Sequence, residues 1–343
     1  MRPTFRYIIL LAIVLLAVSF SLPRLFRGPY PHPPGPTLDK AVSKLYQHEI
    51  EQQHPVLVLL GDSLLTKDVD APTLQTRLRL PTYKLDIPGS SSALWYLVEK
   101  SNIVPANPAP RYLLILFRDT ILTAPAFRTT GPYFGLIDKF ASPNDTLLLE
   151  RAYLSQIGPV QAALESYFPP FTYRSELRES IDSGLRHIAP RLTGCDSACA
   201  DDAMQKTLGD IQPDIFAASI IQAEQALYTP EQLDFPAQVD RSFLPEIIRL
   251  AQEHGIQLIL VRAPVNVFSN PADVPPGLGT YVAGLGSYLA EKHVPMFDLS
   301  QVEGIGPSQF TDPHHMTLEG KAIFTEALAR ALEEYINSTA SSN

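Results

Sequence analysis

The sequence predicts an α/β protein in which a parallel sheet is covered by helices on both faces. Short apolar runs, typical of strands buried on both sides, alternate with helical segments along most of the chain. Polar residues suited to chemistry follow several of these runs, where open parallel sheets bind their ligands. With 343 residues, of which 45% are hydrophobic, the chain is long enough to bury a large core.

The N-terminus carries a predominantly apolar run, residues 7–22, which Arg2 and Arg6 precede. Its length is near the lower limit for a helix that spans a membrane, and a cleaved signal peptide is the alternative. We favour an uncleaved signal anchor over residues 7–26. Basic residues on the short N-terminal side favour a cytoplasmic location for residues 1–6, with the rest of the chain extracytoplasmic or periplasmic.

A proline-rich linker, residues 27–37, connects the anchor to a domain predicted over residues 38–343. A helix is expected from Thr37 to about Gln53, before a first strand at Val56–Leu60. Further strands are predicted at Tyr83–Ile87, Tyr112–Phe117, Ile256–Val261 and Val294–Leu299, and helices at Ala71–Arg79, Ala93–Lys100, Asp240–His254, Leu278–Lys292 and Thr317–Ile336. Only helical patterns occur between about residues 120 and 238, which indicates a helical insertion.

A serine, a histidine and an aspartate are placed to form a nucleophilic site. Ser63 follows the first strand, in the sequence Gly-Asp-Ser-Leu, and Asp312 and His315 lie before the last helix. A serine hydroxyl is a weak nucleophile without a base, and the usual base is a histidine that a carboxylate orients. The spacing Asp-x-x-His lets one turn present both groups. An ordinary turn serine is the alternative for Ser63.

These blocks resemble those of the SGNH/GDSL hydrolase superfamily, over roughly residues 55–119 and 240–336. The resemblance implies a flavodoxin-like three-layer α/β/α sandwich and serine-based acyl chemistry by the three residues named above. It also implies that the backbone amides of Ser63 and of Gly89, which follows the second strand, form the oxyanion hole.

One block departs from the pattern of the superfamily. Its members have Gly-x-Asn-Asp after the third strand, and this sequence has Leu-Phe-Arg-Asp, so that Arg118 stands where asparagine is expected. Arg118 is a candidate oxyanion donor or a binding group for an anionic part of the substrate. A structural salt bridge with Asp119 or another acid is the alternative. Asp119 and Arg262, at predicted strand ends, are candidate substrate-binding residues.

The anchor, the extracytoplasmic domain and the diverged third block also resemble the alginate O-acetyltransferase-like proteins. That resemblance implies acyl transfer to a cell-surface or exported glycan, as an O-acetyltransferase or, by the same triad, an O-acetylesterase. A membrane-bound O-acyltransferase is the expected partner. A non-catalytic binding or assembly protein of a polysaccharide modification system, with the same fold, is the alternative.

The composition disfavours several other classes of protein. The chain has 27 basic and 36 acidic residues, a net charge of −9, and no basic block that would bind nucleic acid. No nucleotide-binding or zinc-protease motif occurs, so neither a cofactor nor a metal is expected. Cys195 and Cys199 are too few for structural zinc and are candidates for a local disulfide, with two unpaired thiols as the alternative.

Overall fold

The computed structural model describes residues 3–27, 30–38, 40–174, 177, 180, 221–268 and 271–340. The chain divides into two compact units. The anchor unit consists of residues Met1–Thr37 and Tyr153–Gln222, and the sheet unit consists of Leu38–Ala152 and Ala223–Asn343. The boundaries predicted for the linker and the helical insertion stay predictions.

The sheet unit is built on five parallel strands. They are β1 (Leu57–Gly61), β2 (Thr82–Asp86), β3 (Tyr112–Phe117), β4 (Gln257–Arg262) and β5 (Met296–Asp298). Their order in the sheet is 2-1-3-4-5, which is the flavodoxin-like order. The predicted α/β class is thereby confirmed. Each predicted strand is present, with its ends displaced by at most two residues.

Helices connect the strands and form the anchor unit. In chain order they are α1 (Pro3–Phe26), α2 (Leu45–Gln53), α3 (Ser63–Asp68), α4 (Ala71–Leu78), α5 (Ser92–Val98), α6 (Phe134–Phe140), α7 (Thr146–Leu148), α8 (Pro159–Tyr167), α9 (Pro169–Thr172), α10 (Phe235–Val239), α11 (Leu244–Glu253), α12 (Pro276–Glu291) and α13 (Leu318–Ala340). Residues 221–226 are also helical. The described part of residues 120–238 contains no strand, in agreement with the helical pattern of its sequence.

Both faces of the sheet are buried, because side chains of successive strand residues point to opposite sides. On one face Leu57 and Leu59 pack with side chains of α3, α4 and α13, such as Phe324. On the other face Val58 and Leu60 are also fully buried. Continuous apolar strands are the sequence signature of this arrangement. The core therefore fixes the strands and leaves the loops at their carboxyl ends free to carry chemistry.

The helix expected from Thr37 is shorter than predicted, because α2 begins only at Leu45. Leu38 is 4% exposed, and the Ser43 amide donates to the Lys139 carbonyl over 2.9 Å. These long-range contacts hold residues 40–44 in a non-helical conformation, although their apolar spacing favours a helix. Tertiary contacts of this kind override a weak local preference.

The anchor unit contains α1, of which Phe5–Phe26 is long and apolar enough to cross a membrane. The helix begins a few residues before the predicted span of residues 7–26. Spanning helices and signal sequences share this length and composition.

Candidate active site

The strand-to-helix turn after β1 presents Ser63 as the first residue of α3. Asp62 is extended, and its side chain accepts the Leu64 amide over 2.9 Å, which caps the helix. A Cβ at Gly61 would lie 3.0 Å from the Leu65 Cβ and 3.3 Å from the Leu116 carbonyl oxygen. The glycine therefore lets the helix turn back closely over the sheet, with Ser63 at the edge where strands β1 and β3 end.

His315 lies within hydrogen-bond reach of that serine. Its Nε2 is 2.9 Å from the Ser63 Oγ, and its Nδ1 is 2.8 Å from the Asp312 Oδ2. The other carboxylate oxygen of Asp312 accepts the His314 and His315 amides over 2.9 and 3.0 Å. The structure thus brings together the three residues that the sequence singled out, in the order serine, histidine, aspartate.

The environment of Asp312 keeps its side chain ionised. Burial tends to raise its pKa, but hydrogen bonds from the His314 amide and from the ring and amide of His315 outweigh burial, and the pKa is lowered. An ionised acceptor at Nδ1 holds that proton there and leaves Nε2 free to accept the proton of Ser63. The arrangement can therefore generate a serine nucleophile.

A buried aspartate that the motif did not reveal connects the segments that carry Ser63 and His315. Asp68, the last residue of α3, is fully buried, and its Oδ1 accepts the Met316 amide over 2.8 Å. Burial raises the pKa of Asp68 to about 7, with further contributions from the nearby charges of Asp62 and Asp312. Its Oδ2 has no hydrogen-bond partner among the described residues. Asp68 thereby ties the helix of Ser63 to the loop of His315.

Gly89 lies in the turn after β2 and has a φ of +80°, which favours glycine. The turn is joined to the end of β1, because the Gly61 carbonyl accepts the Ile87 amide over 2.9 Å and the Ser90 hydroxyl over 3.2 Å. A Cβ at Gly89 would lie 2.8 Å from the Tyr133 Cε1, so the tyrosine ring covers this turn. The structure thus places Gly89 beside the strand that leads to Ser63, and its role in an oxyanion hole stays a prediction.

Arg118 follows β3 and is held in ion pairs. The side chain is 1% exposed, and its Nη2 donates to the Glu224 Oε2 over 2.5 Å. Its Nη1 lies 3.8 Å from the Asp119 Oδ2 and makes no hydrogen bond within the described ranges. This is the salt bridge that the sequence left open as an alternative, with Glu224 as its principal partner.

Glu224 is the centre of a charged network beside the triad. It also accepts the Arg128 Nη2 over 2.9 Å and lies 3.5 Å from the His314 Nε2. Arg128, at a strained φ of 56°, extends the network to Asp62, 3.4 Å away. Burial opposes ionisation of Glu224, but the charges of Arg118 and Arg128 lower its pKa. The network therefore keeps Glu224 ionised near Asp62, the residue before Ser63. No sequence motif pointed to Glu224 or Arg128.

The two candidate substrate-binding residues bind each other. Arg262 Nη2 is 3.4 Å from the Asp119 Oδ1, and its Nη1 is 3.2 Å from the Asp298 Oδ2. The Tyr228 hydroxyl donates to the Asp119 Oδ2 over 2.5 Å. Their part in substrate binding stays a prediction.

Two further predictions concern metals and cysteines. Within the described ranges, no group of three or more histidine, cysteine, aspartate or glutamate side chains is placed to hold a metal ion. Cys195 and Cys199 lie outside the described residues, so the predicted disulfide has no structural account.

The sequence and the structure were compared with those of known proteins. A family model without a descriptive name matches residues 220–337, less than half of the chain, and no curated protein matches. Among solved structures, the chain is similar to a protein assigned as an acylhydrolase from Bacteroides fragilis, with 14% identity, a TM-score of 0.40, and coverage of 88% of this chain and 99% of the other.

Other similar structures are a GDSL-like lipase from Bacteroides thetaiotaomicron (11% identity, TM-score 0.38, 81% and 88% coverage) and an acetyl-xylooligosaccharide esterase from Geobacillus (11% identity, TM-score 0.38, 80% and 92% coverage).

Proposed function

We propose that the chain is a membrane-anchored serine enzyme of the SGNH/GDSL type that cleaves or transfers an acyl ester. The observation that supports this most directly is the continuous set of hydrogen-bond distances from Ser63 through His315 to Asp312, 2.9 and 2.8 Å. The residues that form it are separated by up to 252 positions. Open parallel sheets bind their ligands at the carboxyl ends of the strands, and Ser63 lies at such an end.

The first half of the reaction forms an acyl-enzyme. The Ser63 Oγ attacks the ester carbonyl carbon as its proton passes to the His315 Nε2, and Asp312 stabilises the resulting imidazolium. The negative oxygen of the tetrahedral intermediate is bound by the Ser63 and Gly89 amides. The intermediate then collapses, the bond to the leaving alkoxide breaks, and His315 returns the proton to that oxygen.

The second half releases the acyl group. An acceptor hydroxyl gives its proton to His315 and attacks the acyl carbonyl, and Ser63 leaves with the proton that His315 returns. A sugar hydroxyl as acceptor makes the enzyme an O-acetyltransferase, and water makes it an O-acetylesterase. The resemblance to alginate O-acetyltransferase-like proteins supports a cell-surface or exported glycan as substrate and a membrane-bound O-acyltransferase as partner. The apolar helix α1 supports single-pass anchoring, with the sheet unit on the extracytoplasmic side.

The non-catalytic alternative has one observation in its favour. Arg118, in the position of the third oxyanion donor, is already bound to Glu224. A fold that had lost its chemistry would tolerate such a change, whereas a hydrolase must stabilise the oxyanion with the amides alone.

Labelling with a fluorophosphonate probe distinguishes the two proposals. The full-length protein is compared with Ser63→Ala, His315→Ala and a control, Ser287→Ala, whose exposed serine on α12 bonds only the helix backbone. We expect labelling of the wild type and the control that is lost in the other two. Absence of labelling in folded wild-type protein would favour the binding protein. Product analysis with an acetyl ester, with and without an oligosaccharide acceptor, then separates transferase from esterase.

A further inference from the structure

Helix α8 of the anchor unit exposes its apolar side. Val160, Leu164 and Tyr167 are 73%, 38% and 64% exposed and follow the spacing i, i+4, i+7, which places them on one face. The opposite face carries Glu165, which is only 9% exposed. A helix on a protein surface in water has the reverse arrangement, with its polar face outward.

The polar face of α8 is satisfied inside the anchor unit. Glu165 accepts the Gly35 amide over 3.2 Å and the Gln161 side chain over 3.1 Å, and Arg174 lies 3.4 Å away. Burial opposes ionisation of Glu165, but these hydrogen bonds and the charge of Arg174 lower its pKa. The contacts of Glu165 with Gly35 and Arg174 therefore fix the orientation of α8, and rotation to hide the apolar stripe would break them.

Two further hydrogen bonds keep α8 close to the end of α1. The Tyr30 hydroxyl donates to the Tyr167 carbonyl over 3.4 Å, and the His32 amide donates to the Ser166 carbonyl over 3.1 Å. Tyr30 follows the last residue of α1, Phe26, by four positions, a reach of at most about 14 Å. The polar interface of a bilayer adds roughly 5–8 Å on each side of the hydrocarbon core. Helix α8 is thus within reach of the interface in which α1 would end.

Aromatic and basic side chains collect at this end of α1. The ring of Tyr173, itself only 4% exposed, stacks on that of Phe26 at 5.4 Å between centroids and packs the end of α1 against the anchor unit. The guanidinium of Arg24 lies 3.7 Å from the Phe20 ring, and that of Arg174 lies 4.1 Å from the Phe171 ring. Aromatic belts and arginines that extend toward the headgroups are typical of membrane–water interfaces.

We propose that α8 is a second membrane contact, an interfacial helix whose stripe of Val160, Leu164 and Tyr167 inserts into the lipid surface beside α1. The occupant of the stripe is lipid, because hydrogen bonds of Tyr30 and His32 hold α8 to the chain that leaves the span. This inference rests on the membrane anchoring proposed above and is independent of the chemistry at Ser63. An anchor with two contacts fixes the orientation of the protein on the membrane, which a single helix and a linker do not.

Tryptophan fluorescence of the full-length chain in vesicles of brominated phosphatidylcholine tests the proposal. Leu16→Trp, on the exposed surface of α1, reports the anchor, and Leu164→Trp and Val160→Trp report the stripe. Ser287→Trp, at an exposed position on α12 of the sheet unit, is the control. The native Trp95 is fully buried and gives the same background in every variant.

We expect lipids brominated near the chain ends to quench Leu16→Trp. Lipids brominated near the headgroup should quench Leu164→Trp and Val160→Trp. Quenching of the control should be close to that of the wild type. Absence of quenching at Leu16→Trp would contradict the anchoring itself. Quenching at Leu16→Trp without quenching at either stripe position would overturn the interfacial helix alone. A blue-shifted emission at the stripe without bromine quenching would overturn it too, and would show a protein surface in place of lipid.

Discussion

Replacement of Asp68 by asparagine should remove a large part of the pH dependence of stability. The side chain is fully buried, and one of its oxygens accepts the Met316 amide while the other has no hydrogen-bond partner among the described residues. Asparagine has the same shape, keeps an acceptor for that amide, and is neutral at every pH. The difference between the wild type and Asp68→Asn therefore reports the ionisation of the buried carboxyl and not its packing.

The magnitude follows from the raised pKa. Burial holds the pKa of Asp68 at about 7 in the folded protein, against 3.8 for an unperturbed aspartate. The folded state therefore binds the proton more tightly than the unfolded state. The resulting stabilisation is fully present below the unfolded pKa and is lost as the pH rises through 7. Between pH 5 and pH 8 the loss from this one group is about 2–3 kcal/mol.

Urea denaturation of the detergent-solubilised wild type and Asp68→Asn, at pH 5 and pH 8, measures this effect. The emission of Trp95, which is fully buried in the sheet unit, reports unfolding of that unit. Glu99 also has a raised pKa because of its burial, but it is present in both proteins and cancels in the difference. We expect the wild type to lose about 2–3 kcal/mol more than Asp68→Asn over this interval. An equal loss of stability in the two proteins would refute the raised pKa of Asp68.

Three further substitutions test the site. Asp312→Asn should fold normally and lower kcat for a small acetyl ester about 10³–10⁴-fold, because the amide favours the wrong tautomer of the histidine; unchanged kcat would exclude the triad. Gly89→Ala should lower kcat and cost about 1–3 kcal/mol, since φ is +80° and the new Cβ would lie 2.8 Å from Tyr133; full activity and stability would contradict the strained turn. Glu224→Gln should destabilise the protein by about 3 kcal/mol in the same tryptophan assay, since it leaves the buried Arg118 without its principal counter-charge. A second substitution, Arg118→Met, should recover much of this loss in the double variant, whereas additive losses of the two substitutions would argue against the ion pair.

The strands and the triad could be predicted because their signals are local. Runs of five or six apolar residues can form only buried strands or helices, and the glycine after Leu60 indicated a strand. The spacing of Asp312 and His315 lies within one turn. Their approach to Ser63 required only that the first and last parts of the α/β pattern meet at one edge of the sheet.

The residues around the triad could not be predicted because their contacts join distant parts of the chain. Glu224 and Arg118 are separated by 106 positions, and Asp68 and Met316 by 248. None of them has a spacing that indicates a function, and a charged residue in a helix is usually solvent-exposed. The same reason explains α2, whose start is set by contacts of Ser43 with Lys139 and not by its own propensity.

The substitution of arginine for the expected asparagine is best understood together with Glu224. An unpaired guanidinium next to Ser63 would stabilise an oxyanion, but it would also disfavour the imidazolium that His315 must form, because both carry positive charge. Glu224 offsets part of this charge through hydrogen bonds to Arg118 and Arg128. If the proposed acyl chemistry is right, Arg118 is held away from the oxyanion by Glu224, and the amides of Ser63 and Gly89 carry most of its stabilisation. We therefore expect the backbone conformation at Gly89 to matter more here than in a site with three donors.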